Sequence, residues 1–233
     1  MKPQNYVEMQ ETFLSEVIFF GVLGKILYQE PDRTWYQSLL DDDVFSEIPF
    51  GGDQPDTQKG MKLIQAWSEK NHGMTDKSFE ALTSDHLKLF IGIGKVLAPV
   101  WESVYFSPGR LIFQEETFKV RQWYNRYQLE LKHKNKEPDD HIGLEFLFIA
   151  HLAQRGVEAL EKQDQAGAEA LFQAQKEFLS EHLLRWAAAW CDLVDKHAKA
   201  DFHRGISLIV RGSLAELSSI YELNIPVKIA RWE

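Results

Sequence analysis

The chain has 233 residues, of which 44% are hydrophobic and 26% charged, with a formal net charge of −9. This balance excludes a disordered polypeptide and supports one sizeable buried core or two small lobes. The acidic excess argues against a nucleic-acid binder, which carries a basic stripe, and suits a cationic partner.

No stretch reaches the roughly 18 uninterrupted apolar residues that a membrane span requires. The opening Met1-Lys2-Pro3-Gln4-Asn5 lacks the charged-then-apolar pattern of a secretory leader. The single cysteine, Cys191, allows no internal disulfide, which fits a reducing compartment. The expectation is a cytoplasmic protein without stable membrane insertion, in which Cys191 is a buried structural thiol.

Helical periodicity runs through nearly the whole chain. The first predicted helix covers 5–28, with Phe13, Leu14, Val17, Ile18 and Leu27 at three-to-four spacing, and Pro31 ends it. A short second helix is predicted over 33–40. Asp41-Asp42-Asp43 follows and reads as solvated helix-end charge, because the outer acid of a magnesium-holding cluster is missing one turn on. Residues 46–58 form a loop rich in Pro, Gly and Asp, a candidate hinge for exchange of helices between copies. Helices are predicted at 59–71 and 76–91, the second capped by Thr75.

Residues 92–113 break the pattern. Gly92, Gly94, Pro99, Pro108 and Gly109 punctuate a stretch that still carries Trp101, Tyr105 and Phe106. Such a segment is either buried or lines a groove. Gly92-Ile93-Gly94-Lys95 lacks the spacing, the following Ser or Thr and the preceding strand of a phosphate loop, so no nucleotide site is expected.

Helix resumes over 114–131, with Phe118, Trp123 and Tyr127 among the candidates for its inner face. After the basic turn Lys132-His133-Lys134-Asn135-Lys136 comes Glu137-Pro138-Asp139-Asp140-His141 and an apolar continuation. Proline suits the first helical position and carboxylates suit the first turn. The expectation is therefore Glu137 as N-cap, Asp139 and Asp140 in the first turn, and a helix over 138–155 stopped by Gly156. The acid–histidine pair Asp140-His141 is open to three readings: a cap, a catalytic pair or a dock for a basic peptide. Two helices fit 164–197, joined or kinked near His182, with Trp186 and Trp190 as core. The last helix covers 201–222 and stops before Pro226.

The predicted fold class is all-α, a single-domain bundle of roughly eight to ten helices. Eight histidines raise the question of a metal. His141 with Glu145, and His197 with Asp201 and His203, share helical spacing, but no three-ligand element appears. A metal-dependent hydrolase using His141 and Glu145 is thus a weak alternative, and no cofactor is expected.

Three segments taken together resemble one family. They are Ser84-Asp85-His86-Leu87-Lys88-Leu89-Phe90-Ile91-Gly92, then Pro99-Val100-Trp101-Glu102-Ser103-Val104-Tyr105, then Glu137-Pro138-Asp139-Asp140-His141. In this order and at these distances they are similar to the TorD/DmsD family of cytoplasmic chaperones for molybdoenzymes. The match continues through Arg121-Gln122-Trp123 and is good over about residues 80–215.

The resemblance implies a non-enzymatic, all-helical chaperone. It would bind the twin-arginine signal peptide of a molybdopterin oxidoreductase and hold back export until the client's cofactor is inserted. Contact with the mature enzyme, or docking on one that has no signal peptide, is the alternative. Monomers and helix-swapped dimers both occur among such relatives. On this reading Asp140 attracts a guanidinium beside Glu137, Glu102 adds to the negative field, and His141 orders the rim or donates to a peptide carbonyl. Leu89, Phe90, Pro99, Trp101 and Tyr105 would take the apolar part of the peptide. Helix capping by Asp140 and core packing of Trp101 stay open as rival roles.

Overall fold

The computed structural model describes residues 6–71, 74–92, 95–131 and 137–223. Met1–Asn5, Ile93 and Gly94, the basic run 132–136, and the stop before Pro226 lie outside the described residues. Among those described there are ten α-helices and no strand, so the all-helical expectation is borne out. The helices are α1 (Tyr6–Tyr28), α2 (Arg33–Asp41), α3 (Pro55–Lys70), α4 (Asp76–His86), α5 (Glu102–Phe106), α6 (Glu115–Arg126), α7 (Ile142–Glu161), α8 (Gln165–Glu181), α9 (Leu183–His197) and α10 (Asp201–Ile220). No described helix is long and apolar enough to cross a membrane.

The chain forms two compact units, each assembled from segments distant in sequence. The first unit comprises residues 1–28 and 101–183, and is organised on α7. This helix carries Ile142, Phe146, Ile149, Leu152 and Ala153 at zero exposure, packed against α1 on one side and α8 on another. Glycines let α1 approach: a Cβ on Gly143 would sit 2.8 Å from Tyr28 N, and one on Gly156 would sit 2.4 Å from the Phe13 ring. Glu16 is fully buried and takes a 2.7 Å bond from Gln175 Nε2, which also donates to the Ile149 carbonyl. A polar group in such a core is tolerated because it is paired.

The second unit comprises residues 29–100 and 184–233. Here α10 packs on α3 at a second small-residue crossing, where a Cβ on Gly60 would meet the Gly205 carbonyl at 2.6 Å. Trp186, Trp190 and Cys191 are fully buried in α9, as expected of a core stripe, and burial pushes the Cys191 thiol up to about 12, so it is inert. The 46–58 loop lies within this unit. Ser213 Oγ donates to the Phe50 carbonyl at 2.8 Å, and Gly51 adopts φ +71° against Gly212, a conformation and a space that suit only glycine.

Several expected boundaries move, each for a local reason. Helix α3 starts at Pro55, inside the predicted loop, because proline occupies its first position. Helix α6 ends at Arg126 rather than 131, and Gln128 takes up a left-handed φ of 61° just beyond. Phe118 is 51% exposed, while Thr117, Val120 and Tyr124 form the inner face with Trp123. Helix α7 starts at Ile142 rather than 138 and runs through Gly156 to Glu161, since that glycine is where Phe13 packs rather than a stop.

Candidate functional site

The short helix α5 lies inside the proline- and glycine-broken stretch, and the acidic run is spent on it. The run turns at Asp139 and Asp140 beside α5 and ends in an antiparallel bridge between Trp101 and His141. The Asp140 carbonyl accepts the Glu102 N–H at 2.9 Å. The Asp140 carboxylate accepts the Ser103 N–H at 2.6 Å and the Thr117 hydroxyl at 2.8 Å, with zero exposure. It therefore satisfies the start of α5 and ties it to α6. The affinity of a carboxylate for a helix N-terminus holds, but for a helix some 35 residues upstream rather than the one that follows. Burial raises the Asp140 pKa, and the bonds from Ser103 and Thr117 pull back only partly.

His141, not Glu137, is the N-cap of α7. Its Nδ1 accepts the Gly143 N–H at 3.0 Å. An accepting Nδ1 places the proton of the neutral ring on Nε2, so the cap also sets the tautomer. The ring stands edge-on to Tyr28 at 5.3 Å and to Trp101 at 6.1 Å. Glu137 Oε1 accepts the Trp101 indole N–H at 2.7 Å. Burial raises the Glu137 pKa, against the indole bond, and the Asp140 charge adds to the rise. Burial, then the Glu137 charge, likewise raises Tyr28.

Tyr28, Trp101 and Glu137 all reach the surface, with Tyr28 37% exposed. The three form a partly open rim, with the Glu137 carboxylate at the N–H edge of the Trp101 indole. Beneath it Arg121 holds Asp139 through Nε at 3.0 Å and Nη2 at 2.7 Å, and the Tyr124 hydroxyl donates to the Asp139 carbonyl at 3.1 Å. Glu102 is fully buried, 2.7 Å from His182 Nδ1 at the C-cap of α8. Tyr105 is buried beside it in α5. The first unit thus gathers Trp101 and Glu137 at a rim, with Glu102, Tyr105, Asp140 and His141 buried in the packing around it. Tyr28 escaped the sequence reading. Its only signal was its place as the last residue before a proline-terminated helix end.

The second unit holds Leu89, Phe90 and Pro99, all buried. Leu89 and Phe90 lie in a π-turn, Leu87–Ile91, that Gly92 closes at φ 80° with its N–H on the Leu87 carbonyl. The preceding Asp85 is a long-range anchor. It accepts from the Lys199 and Ala200 N–H groups at 2.9–3.1 Å and lies 3.0 Å from His203 Nδ1. Burial pushes the Asp85 pKa up, but the His203 bond and the two backbone donors more than offset it, leaving it low. His86 packs against Phe90 and His203, and burial, then His203, depresses it to about 4.

A group that binds protons more weakly when folded destabilises the fold as pH falls between its unfolded and folded values. His86 should therefore contribute full stability above about pH 6.5 and lose roughly 3 kcal/mol as pH falls to about 4. Denaturant unfolding across that range should show the loss, and His86→Phe should flatten it. A wild-type profile that is level from pH 6.5 to 4 would refute the assignment.

Among the described residues no group of three or more His, Cys, Asp or Glu side chains is placed to hold a metal ion. His141 and Glu145 diverge in role, the first as cap and the second buried within α7.

The family model described as nitrate reductase delta subunit matches residues 54–192, which include the π-turn, α5 and the acidic run. A probable Tat proofreading chaperone DmsD from Haemophilus influenzae is 26% identical, over 94% of this chain and 97% of its own. The Tat proofreading chaperone DmsD of Salmonella typhi is 26% identical over 89% and 90%. The chaperone protein TorD of Aliivibrio fischeri is 27% identical over 58% and 61%. With three ordered motifs, an all-helical fold and a family model that covers more than half its length, the chain belongs to the nitrate reductase delta subunit family, among the TorD/DmsD-type chaperones rather than the enzymes.

Proposed function

We propose that this protein is a cytoplasmic proofreading chaperone that binds the twin-arginine signal peptide of a molybdopterin oxidoreductase and delays export until the client's cofactor is in place. One observation carries the reading: half-buried Glu137 accepts the indole N–H of partly exposed Trp101 and lies close enough to Tyr28 for its charge to act on that hydroxyl. A guanidinium suits that setting, because it pairs with a carboxylate and stacks on aromatic faces, and Lys does both less well. The acidic charge of the whole chain adds long-range attraction for a basic peptide. Asp140 and Glu102, both buried, act by positioning Trp101 and His141 rather than by touching the peptide. Membership of a chaperone family sets aside the hydrolase alternative.

The test is calorimetric titration with twin-arginine signal peptides from molybdoenzymes of the same genome. Saturable binding is expected, weakened on the order of tenfold when the two arginines become alanine and similarly by Glu137→Gln, in line with the loss of one charge-assisted contact. Equal affinity for the alanine peptide would refute the assignment.

A further inference from the structure

His182 marks the break between α8 and α9, and the break itself does not use its side chain. The backbone closes α8 through the His182 N–H on the Phe178 carbonyl at 3.0 Å, which any residue but proline can do. The imidazole is committed elsewhere. It is 1% exposed, lies against the Phe178 ring at 4.9 Å, and places Nδ1 2.7 Å from Glu102 Oε2. Nε2 has no hydrogen-bond partner in the chain, so the bond to Glu102 is the one polar bond the ring makes within it.

That bond bears on the rim. Glu102 follows Trp101, the N-cap residue of α5, and a five-residue helix has too few internal hydrogen bonds to hold its own orientation. External contacts must fix it. Two come from the acidic run: the Asp140 carbonyl takes the Glu102 N–H, and the Asp140 carboxylate takes the Ser103 N–H. Bonds to a single segment leave α5 free to rotate about that segment. The His182 bond ties the Glu102 side chain to the end of α8, a second element, and removes that freedom. The group that such a rotation would carry away is the Trp101 indole, whose N–H is on Glu137.

We propose that His182 is a positioning residue for the peptide site: through Glu102 it fixes the start of α5, and so holds the Trp101 indole on the Glu137 carboxylate. This rests on the signal-peptide reading above. The ring itself does not meet the peptide. Glu102 is fully buried, so its bond to His182 keeps its strength away from water, and a Glu102 deprived of that donor must relax or take up a proton. Either change displaces the start of α5.

The experiment compares two substitutions in the full chain. Against a carboxylate acceptor the His182 proton sits on Nδ1. Asn offers an N–H close to that place, whereas Leu fills the space without one. With a synthetic twin-arginine signal peptide, His182→Leu should bind about tenfold more weakly than wild type, and His182→Asn within about twofold of it.

A second readout, in the free protein, is the indole N–H resonance of Trp101, assigned by its disappearance in Trp101→Phe. His182→Leu should shift it and His182→Asn should leave it near its wild-type place, while the Trp35 and Trp67 indoles, in the second unit, stay unmoved in both. A third readout keeps His182 intact. In wild type, saturating peptide should shift the His182 Nδ1–H resonance, because coupling between two sites runs both ways.

A Leu variant that binds like wild type, a Trp101 resonance that it leaves in place, or an Asn variant no better than Leu overturns the positioning role and leaves the rim standing. Indoles of both units that move together, or a His182 resonance untouched by bound peptide, do the same. If wild type binds no signal peptide, the peptide reading fails, and the Trp101 resonance still decides whether His182 holds the indole.

Discussion

Asp140→Ala is expected to destabilise the protein by about 2–4 kcal/mol, because it leaves two buried donors without an acceptor. Ser103 N–H and the Thr117 hydroxyl both end on this carboxylate, and all three residues have zero exposure. Water cannot reach them as a replacement. Such a loss is a large part of the 5–15 kcal/mol that an ordinary domain has, so chemical denaturation should report a clear fall in midpoint. Peptide binding should weaken as well, through displacement of Trp101 at the start of α5.

Asp140→Asn should be far milder, on the order of 1 kcal/mol or less, since its carbonyl can take the Ser103 bond and its amide can donate to Thr117 Oγ1. The pH dependence separates the two. A carboxyl whose pKa is raised by burial favours the fold most when protonated, and that advantage is lost as pH rises through the folded value. Wild type should therefore lose ground to the Asn variant as pH increases from acid towards neutral. An Ala variant of unchanged stability that no longer binds peptide would show instead that the carboxylate touches the client.

Gly143→Ala should cost about 3 kcal/mol, at the upper end for overpacking, because the atoms it meets are backbone. The added methyl would lie 2.8 Å from Tyr28 N and 2.9 Å from the Gly24 carbonyl. Helix α1 must then retreat from α7 and take Tyr28 away from His141. Gly24→Ala forces the same separation, with its methyl 2.8 Å from the Gly143 carbonyl. The double variant should accordingly cost less than the sum of the singles, since one displacement relieves both clashes. Gly21→Ala is the control. Its Cβ would meet nothing within 4 Å, and in mid-helix it should stabilise by about 0.5–1 kcal/mol. Thermal unfolding of the four variants decides the matter, and additive losses would show that the two glycines act independently.

Most of the fold was legible because helical spacing is a local signal. The spans of α1, α2, α8, α9 and α10, the Thr75 cap of α4, and the core placement of Trp186, Trp190 and Cys191 all follow from spacing, caps and breakers within a few residues. The acidic run was misread for the opposite reason. Glu137-Pro138-Asp139-Asp140 has every local mark of a helix start. Yet its donors come from α5 and α6, and the apolar spacing carried no sign of the five-residue α5. The same holds for Asp85, whose partners lie more than a hundred residues away at the start of α10. Tyr28 could be seen at the rim only once α1 was docked on α7 through Gly24 and Gly143.

By itself, then, the sequence determined the helical class, the acidic character and, through three ordered motifs, the family. Class and charge depend on composition and periodicity, which neighbouring residues carry, and the family rests on the resemblance of the three motifs. Tertiary structure alone decided where each motif residue sits and what it bonds: Asp140 and Asp85 buried on distant backbone, His141 as the cap of α7, and Glu137 on the Trp101 indole at a partly open surface. A carboxylate in a sequence has no stated partner. It acquires one when folding removes water and leaves particular N–H and O–H groups within reach, and only then does a structural acid differ from a binding one.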